Sequence, residues 1–447
     1  MKIIQGSEFE AYWKKETKKA DDIKTEKVVK KIISEVRAKG DTAVRKYASK
    51  FDKSSPQKLE VPLSELKRAY DELCANDPAL VEALELAAKN INCFSLKQKQ
   101  QFANFECETE SGVYTGQRVI PVEKAAIYVP GGRFPLFSSV LMGLIPAFSA
   151  GVEEIVFSSP PAENGLPFSK ILAAAMIAAK VAGSISVDGN AFNKKFRVFA
   201  IGGAQAIAAL AFGTESVPAV DVIAGPGSRF TTTAKRLLYG QVGIDFLAGP
   251  SDILVITDNK NENDEAASFV AADMLAQAEH DPDARSRVLV SSTEFAQQVA
   301  ASIEKKLVSL PTAKTASASI KNGGLIVVYQ NKDEAIRIAN KIAPEHLELQ
   351  TEDTQEWILN LKNYGSLFIG TLSAEVLGDY SAGINHTLPT LSGARFTGGL
   401  SVRHFLKTVT TLRCASGDGY EKTRNAAEIL ARAEGLEGHA LSAAARK

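Results

Sequence analysis

The sequence predicts an α/β protein made of two doubly wound parallel-sheet units, with helical segments at both ends. Three observations predict it. Short apolar strands alternate with helices from about residue 120 to residue 370, which requires crossover connections and hence largely parallel strands. The alternation runs in two successive series rather than one. And 447 residues are too many for one ordinary hydrophobic core.

The elements follow in order. Residues 1–24 read as an N-terminal arm, and the next stretch as helical. In KTEKVVKKIISEVRAKGD the apolar Val28, Val29, Ile32, Ile33 and Val36 fall on one helical face, and Gly40 stops the run. In NDPALVEALELAAKNI, Asp77 is placed to cap a helix that has Pro78 at its first position. The first strand–helix series pairs AAIYVP with SSVLMGLIPAFSA, EEIVFSS with SKILAAAMIAAKVA, FRVFAIG with GAQAIAALAFG, and VDVIAG with PGSRFTTTAKRLL. The second opens at DILVITD and runs through FVAADMLAQAEH, SRVLVSS, EFAQQVAASIEKKL, GLIVVYQ and DEAIRIANKI to GSLFIG. Both series have Rossmann-like character, at roughly 127–251 and 252–370, yet neither contains GxGxxG. Residues 25–126 and 252–395 are expected to form the first domain, 127–251 the second, and 396–447 a helical tail.

Composition narrows the function. Lysine and arginine total 52 against 52 aspartates and glutamates, so no charge excess favours nucleic acid or an anionic membrane. The N-terminal MKIIQGSEFEAYWKKE lacks the apolar core of a signal peptide, and ILAAAMIAA (171–179) is too short to span a bilayer. Cys74, Cys93, Cys107 and Cys414 form no CxxC pair, so free thiols and a cytoplasmic location are expected.

Four Gly-rich turns, YVPGGR, AIGGAQ, IAGPGS and LAGPSD, are expected beyond carboxyl ends of strands, where backbones approach ligands. Each alone reads as a tight turn; four in succession favour a shared pocket. The five histidines, at 280, 346, 386, 404 and 439, are few enough to weigh singly. Gln277 and His280 lie three apart and can share a helical face, as metal ligands or as a polar helix end. Asp379 and His386 sit in GDYSAGINHTLPT, a loop that suits either zinc or an Asx turn. His404 reads as structural, and EGLEGH, with Glu434 and His439, as a solvated helix. The sharpest signal is APEHLEL (343–349). Pro344 breaks the preceding helix and HLEL alternates like a strand, so Glu345 and His346 sit at the junction and point apart. Such a pair can serve two proton transfers, or simply be solvated in a turn.

Taken in order, YVPGG, IGGAQAIAALAFGT, GPG, GIDFLAGPS, QAEHD, APEHLEL, GDYSAGINHTLPT and EGLEGHA resemble the histidinol dehydrogenases over nearly the whole chain. The resemblance implies a homodimer of intertwined subunits that uses zinc and NAD to oxidise L-histidinol through an aldehyde to L-histidine. It implies zinc ligands at Gln277, His280, Asp379 and His439, the last reaching the partner's site. Glu345 and His346 match the catalytic pair, with His346 as base toward the alcohol and Glu345 activating water. Ser251, His386 and Glu434 match substrate contacts, as do Gln277, His280, His346, Asp379 and His439. Tyr128, Gln205 and Ser228 match cofactor contacts.

The chain departs from that pattern at the rim. Ser228 stands where asparagine is usual, Asp252 where glutamate is, and bulky Phe134 where a small residue is common; TGGLSVRHFLK also differs. A related zinc enzyme oxidising another primary alcohol, such as dihydroxypropanesulfonate, therefore remains open, although Glu434 suits an ammonium group better than a sulfonate. A zinc hydrolase in which Glu345 activates water, and a non-catalytic binder, are the readings from other classes.

Overall fold

The computed structural model describes residues 1–16, 23–52, 54, 58–131, 135–183, 195–258 and 262–446. Phe134 lies outside the described residues. The strands are, in chain order, β1 (Lys2–Gln5), β2 (Glu60–Val61), β3 (Phe105–Glu110), β4 (Val113–Pro121), β5 (Lys124–Tyr128), β6 (Glu154–Ser159), β7 (Lys195–Ala200) and β8 (Val222–Ala224). They continue with β9 (Gly243–Ile244), β10 (Asp252–Thr257), β11 (Arg285–Val290), β12 (Leu325–Val328), β13 (His346–Gln350), β14 (Ser366–Ile369) and β15 (Leu406–Cys414).

Two six-stranded sheets result, and they are wound alike. The first has the order β2-β7-β6-β5-β8-β9 and the second β1-β12-β11-β10-β13-β14. Each starts in the middle, steps outward to one edge, and then returns to the other side of its first strand. All neighbours are parallel except β2, which pairs antiparallel with β7. In both, a short strand from the N-terminal part of the chain closes the same edge: β2 beside β7, and β1 beside β12.

Side-chain alternation assigns the faces. In the first sheet Ala125, Ile127, Ile155 and Phe157 belong to one apolar cluster, while Ala126, Tyr128, Val156 and Phe199 belong to another. In the second, Ile253, Val255, Val288 and Ile326 face one way, and Leu254, Ile256, Leu289 and Val327 the other. Apolar cores on both faces are what a parallel sheet with helical crossovers needs. One strand breaks the rule. On β13, Leu347 and Leu349 join the apolar cluster, but His346, Glu348 and Gln350 occupy the opposite face, all at most 3% exposed. A central strand with one entirely polar, buried face costs stability unless the polar groups pair or work.

Local expectations are met where they rest on local chemistry. Asp77 accepts a hydrogen bond from the Leu80 amide at 3.2 Å and caps the helix Pro78–Lys99. The helix Ile23–Phe51 breaks at Gly40, which adopts φ 49°. Its buried stripe is Val29, Ile32 and Val36, whereas Val28 is exposed. The four cysteines are all free. Among the described residues no helix is long and apolar enough to cross a membrane.

The expected grouping of 25–126 with 252–395 does not hold, since the helices Ile23–Phe51, Leu63–Asn76 and Pro78–Lys99 pack on the helices of the first sheet and β2 joins that sheet. Two further expectations need correction. Residues 396–447 are not wholly helical: β15 runs there, in a three-stranded antiparallel sheet of order β15-β4-β3. Its nine residues, LKTVTTLRC, pair from Leu406 opposite Pro121 to Cys414 opposite Val113. The β-branched run Thr408 to Thr411 is the signal that favours extension. LAGPSD, secondly, carries the crossover from one unit to the next, so Ser251 and Asp252 arrive at the amino end of β10, not beyond a carboxyl end of its sheet.

Candidate active site

The helix Lys332–Ile342 ends as Pro344 requires. Ala343 turns to φ 50°, a left-handed conformation rare for a residue with a Cβ, and its amide bonds the Ala339 carbonyl at 2.9 Å. Glu345 then locks to the neighbouring strand by two reciprocal bonds. Its amide donates to Asp252 Oδ1 at 3.1 Å, and the Asp252 amide donates to its Oε2 at 3.1 Å. Gly365 is needed here, because a Cβ at that position would lie 2.5 Å from the Glu345 carbonyl oxygen. His346 opens β13 directly opposite Ile253. Glu345 and His346 are 5% and 2% exposed, which excludes the reading of a pair solvated in a turn.

The imidazole stands among carboxylates. Its Nδ1 lies 3.4 Å from Glu375 Oε1 and 3.9 Å from Glu345 Oε2, and its Nε2 lies 3.4 Å from Asp379 Oδ1. Burial works against an imidazolium, but Glu375, Glu345 and Asp379 outweigh it and raise the His346 pKa well above its ordinary value. Burial pushes Glu345 and Glu375 each up to about 8. Asp379 goes the other way. Burial alone would raise it, but the facing His346 ring, with His386 and His280 beyond, holds its carboxyl below the usual range. The cluster thus pushes apart the proton affinities of neighbouring acids, as acid–base chemistry needs.

The expected metal ligands fall partly into this group. Gln277 is fully buried near the end of the helix Asp264–Ala278, and neither its amide nitrogen nor its oxygen has a partner. A buried, wholly unsatisfied amide is costly, so its donor atoms await an ion or a ligand. His280 lies just past that helix, exposed. Asp379 sits on the helix Glu375–Tyr380, its buried Oδ1 facing His346 Nε2. His386 is half-buried, its Nε2 3.4 Å from the Ser139 hydroxyl of the other unit's helix Phe137–Ala150. Ser251 is half-buried, and its carbonyl accepts the Arg285 amide at 3.0 Å. Glu434 and His439, on the exposed C-terminal helices, stand apart from the group in a single chain. Among the described residues, His346, Glu375 and Asp379 each bring a ligand atom within 4.8 Å of one another.

Glu375 and the polar layer behind it were not found from the sequence. Glu348, on the buried polar face of β13, accepts the Glu375 amide at 2.7 Å and the Gln350 side chain at 2.9 Å. Gln350 also reaches Asp273 at 3.2 Å, and burial raises both Glu348 and Asp273. Asp252 is backed by a buried ion pair with Arg287 at 3.3 Å. The available signals were the four-residue spacing of Glu375 and Asp379, and the alternation of HLELQ.

The first sheet presents its opposite edge. Tyr128 ends β5, Gln205 lies in the first turn of the helix Gly203–Phe212, and Ser228 precedes the helix Arg229–Leu238. The Gly203 amide donates to the Tyr128 hydroxyl at 3.1 Å, and burial pushes that hydroxyl up to about 12. Gln205 is buried, with Nε2 3.5 Å from Asp52 Oδ2, and burial pushes Asp52 up to about 6. Gly225, at φ 119°, brings the backbone so close that a Cβ there would lie 2.1 Å from the Tyr128 carbonyl oxygen. Tight glycine turns feeding two helix N-termini fit the phosphates of a dinucleotide.

Two doubly wound sheets, one edged by glycine turns and the other by a buried imidazole–carboxylate cluster, define a two-unit α/β enzyme. Comparison with known proteins sharpens the class. The family described as histidinol dehydrogenase matches residues 14–447. The histidinol dehydrogenase of Aromatoleum aromaticum is 42% identical over 95% of this chain and 92% of its own. That of Acinetobacter baylyi is 42% identical over 93% and 92%. A crystal structure of histidinol dehydrogenase from Elizabethkingia anophelis aligns with a TM-score of 0.85 at 34% identity, covering 96% of this chain and 93% of that one. The chain belongs to the histidinol dehydrogenase family and is an oxidoreductase. That membership sets aside the hydrolase and the non-catalytic binder.

Proposed function

We propose that this enzyme oxidises L-histidinol through the aldehyde to L-histidine, the last step of histidine biosynthesis, reducing two NAD per turnover in the cytoplasm. One observation carries the reading most of the way: two adjacent buried groups, Glu345 and His346, are held by different partners. Two successive oxidations at one carbon call for two separate proton acceptors. His346 takes the alcohol proton. Glu345, clamped to Asp252, takes a proton from the water that adds to the aldehyde.

Gln277, His280, Asp379 and the partner's His439 would hold zinc, whose ionic charge anchors the substrate's imidazole and amine. The unpaired Gln277 amide supports the fit. Tyr128, Gln205 and Ser228, in the unit 127–251, would bind NAD, which accepts electrons from the substrate carbon. Ser251, His386 and Glu434 position the substrate, and the 396–447 segment joins two subunits into the intertwined homodimer. Exposed apolar residues there, Leu412, Ile429, Leu430, Leu436 and Leu441, suit such an interface.

The test mixes the zinc-loaded protein with NAD and L-histidinol and counts NADH formed per substrate consumed. Two is expected. One implies a simple alcohol dehydrogenase, and none removes histidinol and favours a different primary alcohol. Chelating the zinc should abolish turnover while leaving the NAD dissociation constant within about threefold.

A further inference from the structure

His346 has two nitrogens, and the structure gives them different company. Nε2 faces Asp379, the side on which His386 and His280 also gather. Nδ1 faces away, toward Glu375 at 3.4 Å and Glu345 at 3.9 Å. These two carboxylates are not equivalent. Glu345 Oε2 is already committed to the Asp252 amide. Glu375 faces Nδ1 through Oε1, its other oxygen Oε2 has no hydrogen-bond partner, and the residue is 2% exposed. Glu375 is also aimed: its amide is pinned by Glu348 on the same face of β13 that carries His346. The ring itself is steadied by Phe368, with centroids 5.9 Å apart.

We propose that Glu375 is the positioning residue for His346, accepting a hydrogen bond from Nδ1–H so that Nε2 stays bare as the base. This deepens the proposed function and rests on His346 being the base in it. An imidazole that must accept a proton through one nitrogen works only in the tautomer whose proton sits on the other, and a buried carboxylate selects that tautomer. The contact at 3.4 Å is longer than a formed charge-assisted hydrogen bond of about 2.8 Å, as is common before substrate closes the site. The assignment also divides labour: Glu375 serves His346, which leaves Glu345 for water. The competing role for Glu375 is that of a metal ligand, since it belongs to the compact His346–Glu375–Asp379 group.

The five histidines make a direct test feasible. In the zinc-loaded protein labelled with 15N-histidine, the His346 signals are assigned through His346→Gln. At a pH above the raised pKa values of Glu375 and His346, wild type should show Nδ1 protonated and Nε2 bare, and Glu375→Ala should lose that tautomer. Glu375→Gln, which keeps the volume and an accepting oxygen, should retain it in part. On histidinol, Glu375→Gln should lower kcat for the alcohol step about 100-fold, with KM, zinc content and aldehyde oxidation changed less than about threefold. Three results overturn the proposal: an Nε2-protonated wild type, a tautomer unmoved by Glu375→Ala, or loss of zinc from Glu375→Gln. The spectra need no substrate, so failure of wild type to oxidise histidinol would sink the proposed function without deciding the role of Glu375.

Discussion

The two sheets share one winding order but use opposite edges. The first offers its carboxyl edge, where Tyr128, Gln205 and Ser228 meet glycine turns and two helix N-termini. The second offers its amino edge, where Asp252 opens β10 and His346 opens β13. Helix polarity explains the division. N-termini carry partial positive charge and favour an anion, each by about 0.3–1 kcal/mol. At the amino edge the helices Lys332–Ile342 and Asp264–Ala278 present their C-termini, beside Glu345 and His280. Partial negative charge there favours an imidazolium or a metal cation. The same topology therefore yields an anion edge and a cation edge, and the chemistry follows the sign.

Mutations on one edge should leave the other intact. The largest effect is expected from His346→Gln, which should lower turnover at least about 1,000-fold while zinc content by atomic absorption and NAD affinity stay normal. Normal turnover would remove His346 as the base. Next is Glu345. Burial raises its pKa to about 8, so its ionised, proton-accepting form predominates only above that pH. Aldehyde oxidation should climb as pH passes through about 8, and Glu345→Gln should flatten the climb and slow this step about 100-fold, as pre-steady-state kinetics would show.

On the anion edge, Gly225→Ala forces a Cβ against the Tyr128 carbonyl in a left-handed turn. It should cost about 2–3 kcal/mol in denaturant unfolding and weaken NAD binding, with zinc content unchanged in the folded fraction. The smallest effect is expected at Asp52. Its folded pKa of about 6 exceeds the ordinary 3.8, so the native state binds the proton more tightly. The cost of its charge is absent below about pH 4, grows as pH rises, and is complete above about 6. Asp52→Asn should thus stabilise the protein by roughly 1 kcal/mol at pH 8, after allowance for its partial exposure, and by nothing near pH 4. A gain that persists at pH 4 would contradict the assignment.

Much of this was legible in the sequence, and the boundary is physical. Pro344 acts on its immediate neighbours, so the helix end at Ile342 and the strand start at His346 could be read from seven letters. Alternating strands and helices disclosed both winding units, because periodicity reports burial directly. Contacts across the fold were not legible. Glu375 reaches His346 across 29 residues and a strand–helix excursion, and the four-residue spacing to Asp379 in EVLGDY marks a shared helical face without naming the distant partner. Arg287, which supports Asp252, looked like an ordinary strand residue. β15 was missed because its strand is exposed along nearly its whole length, with no buried alternate positions to reveal it. The resemblance to a known family supplied Gln277 and His439, which spacing alone had left open.

The short strands β1 and β2 have a consequence for synthesis. Each seals a flank whose partner is made far later: Lys2 lies opposite Leu325, and Glu60 opposite Phe199. A ribosome therefore releases both seals before the surfaces they cover exist. Until β12 emerges, the growing polypeptide carries an unmatched extended segment, and thereafter the raw border of the second sheet waits for a distant end to return. Trimming the first five residues would leave that border bare, inviting chain-to-chain stacking in a nascent pool rather than any defect in the chemistry.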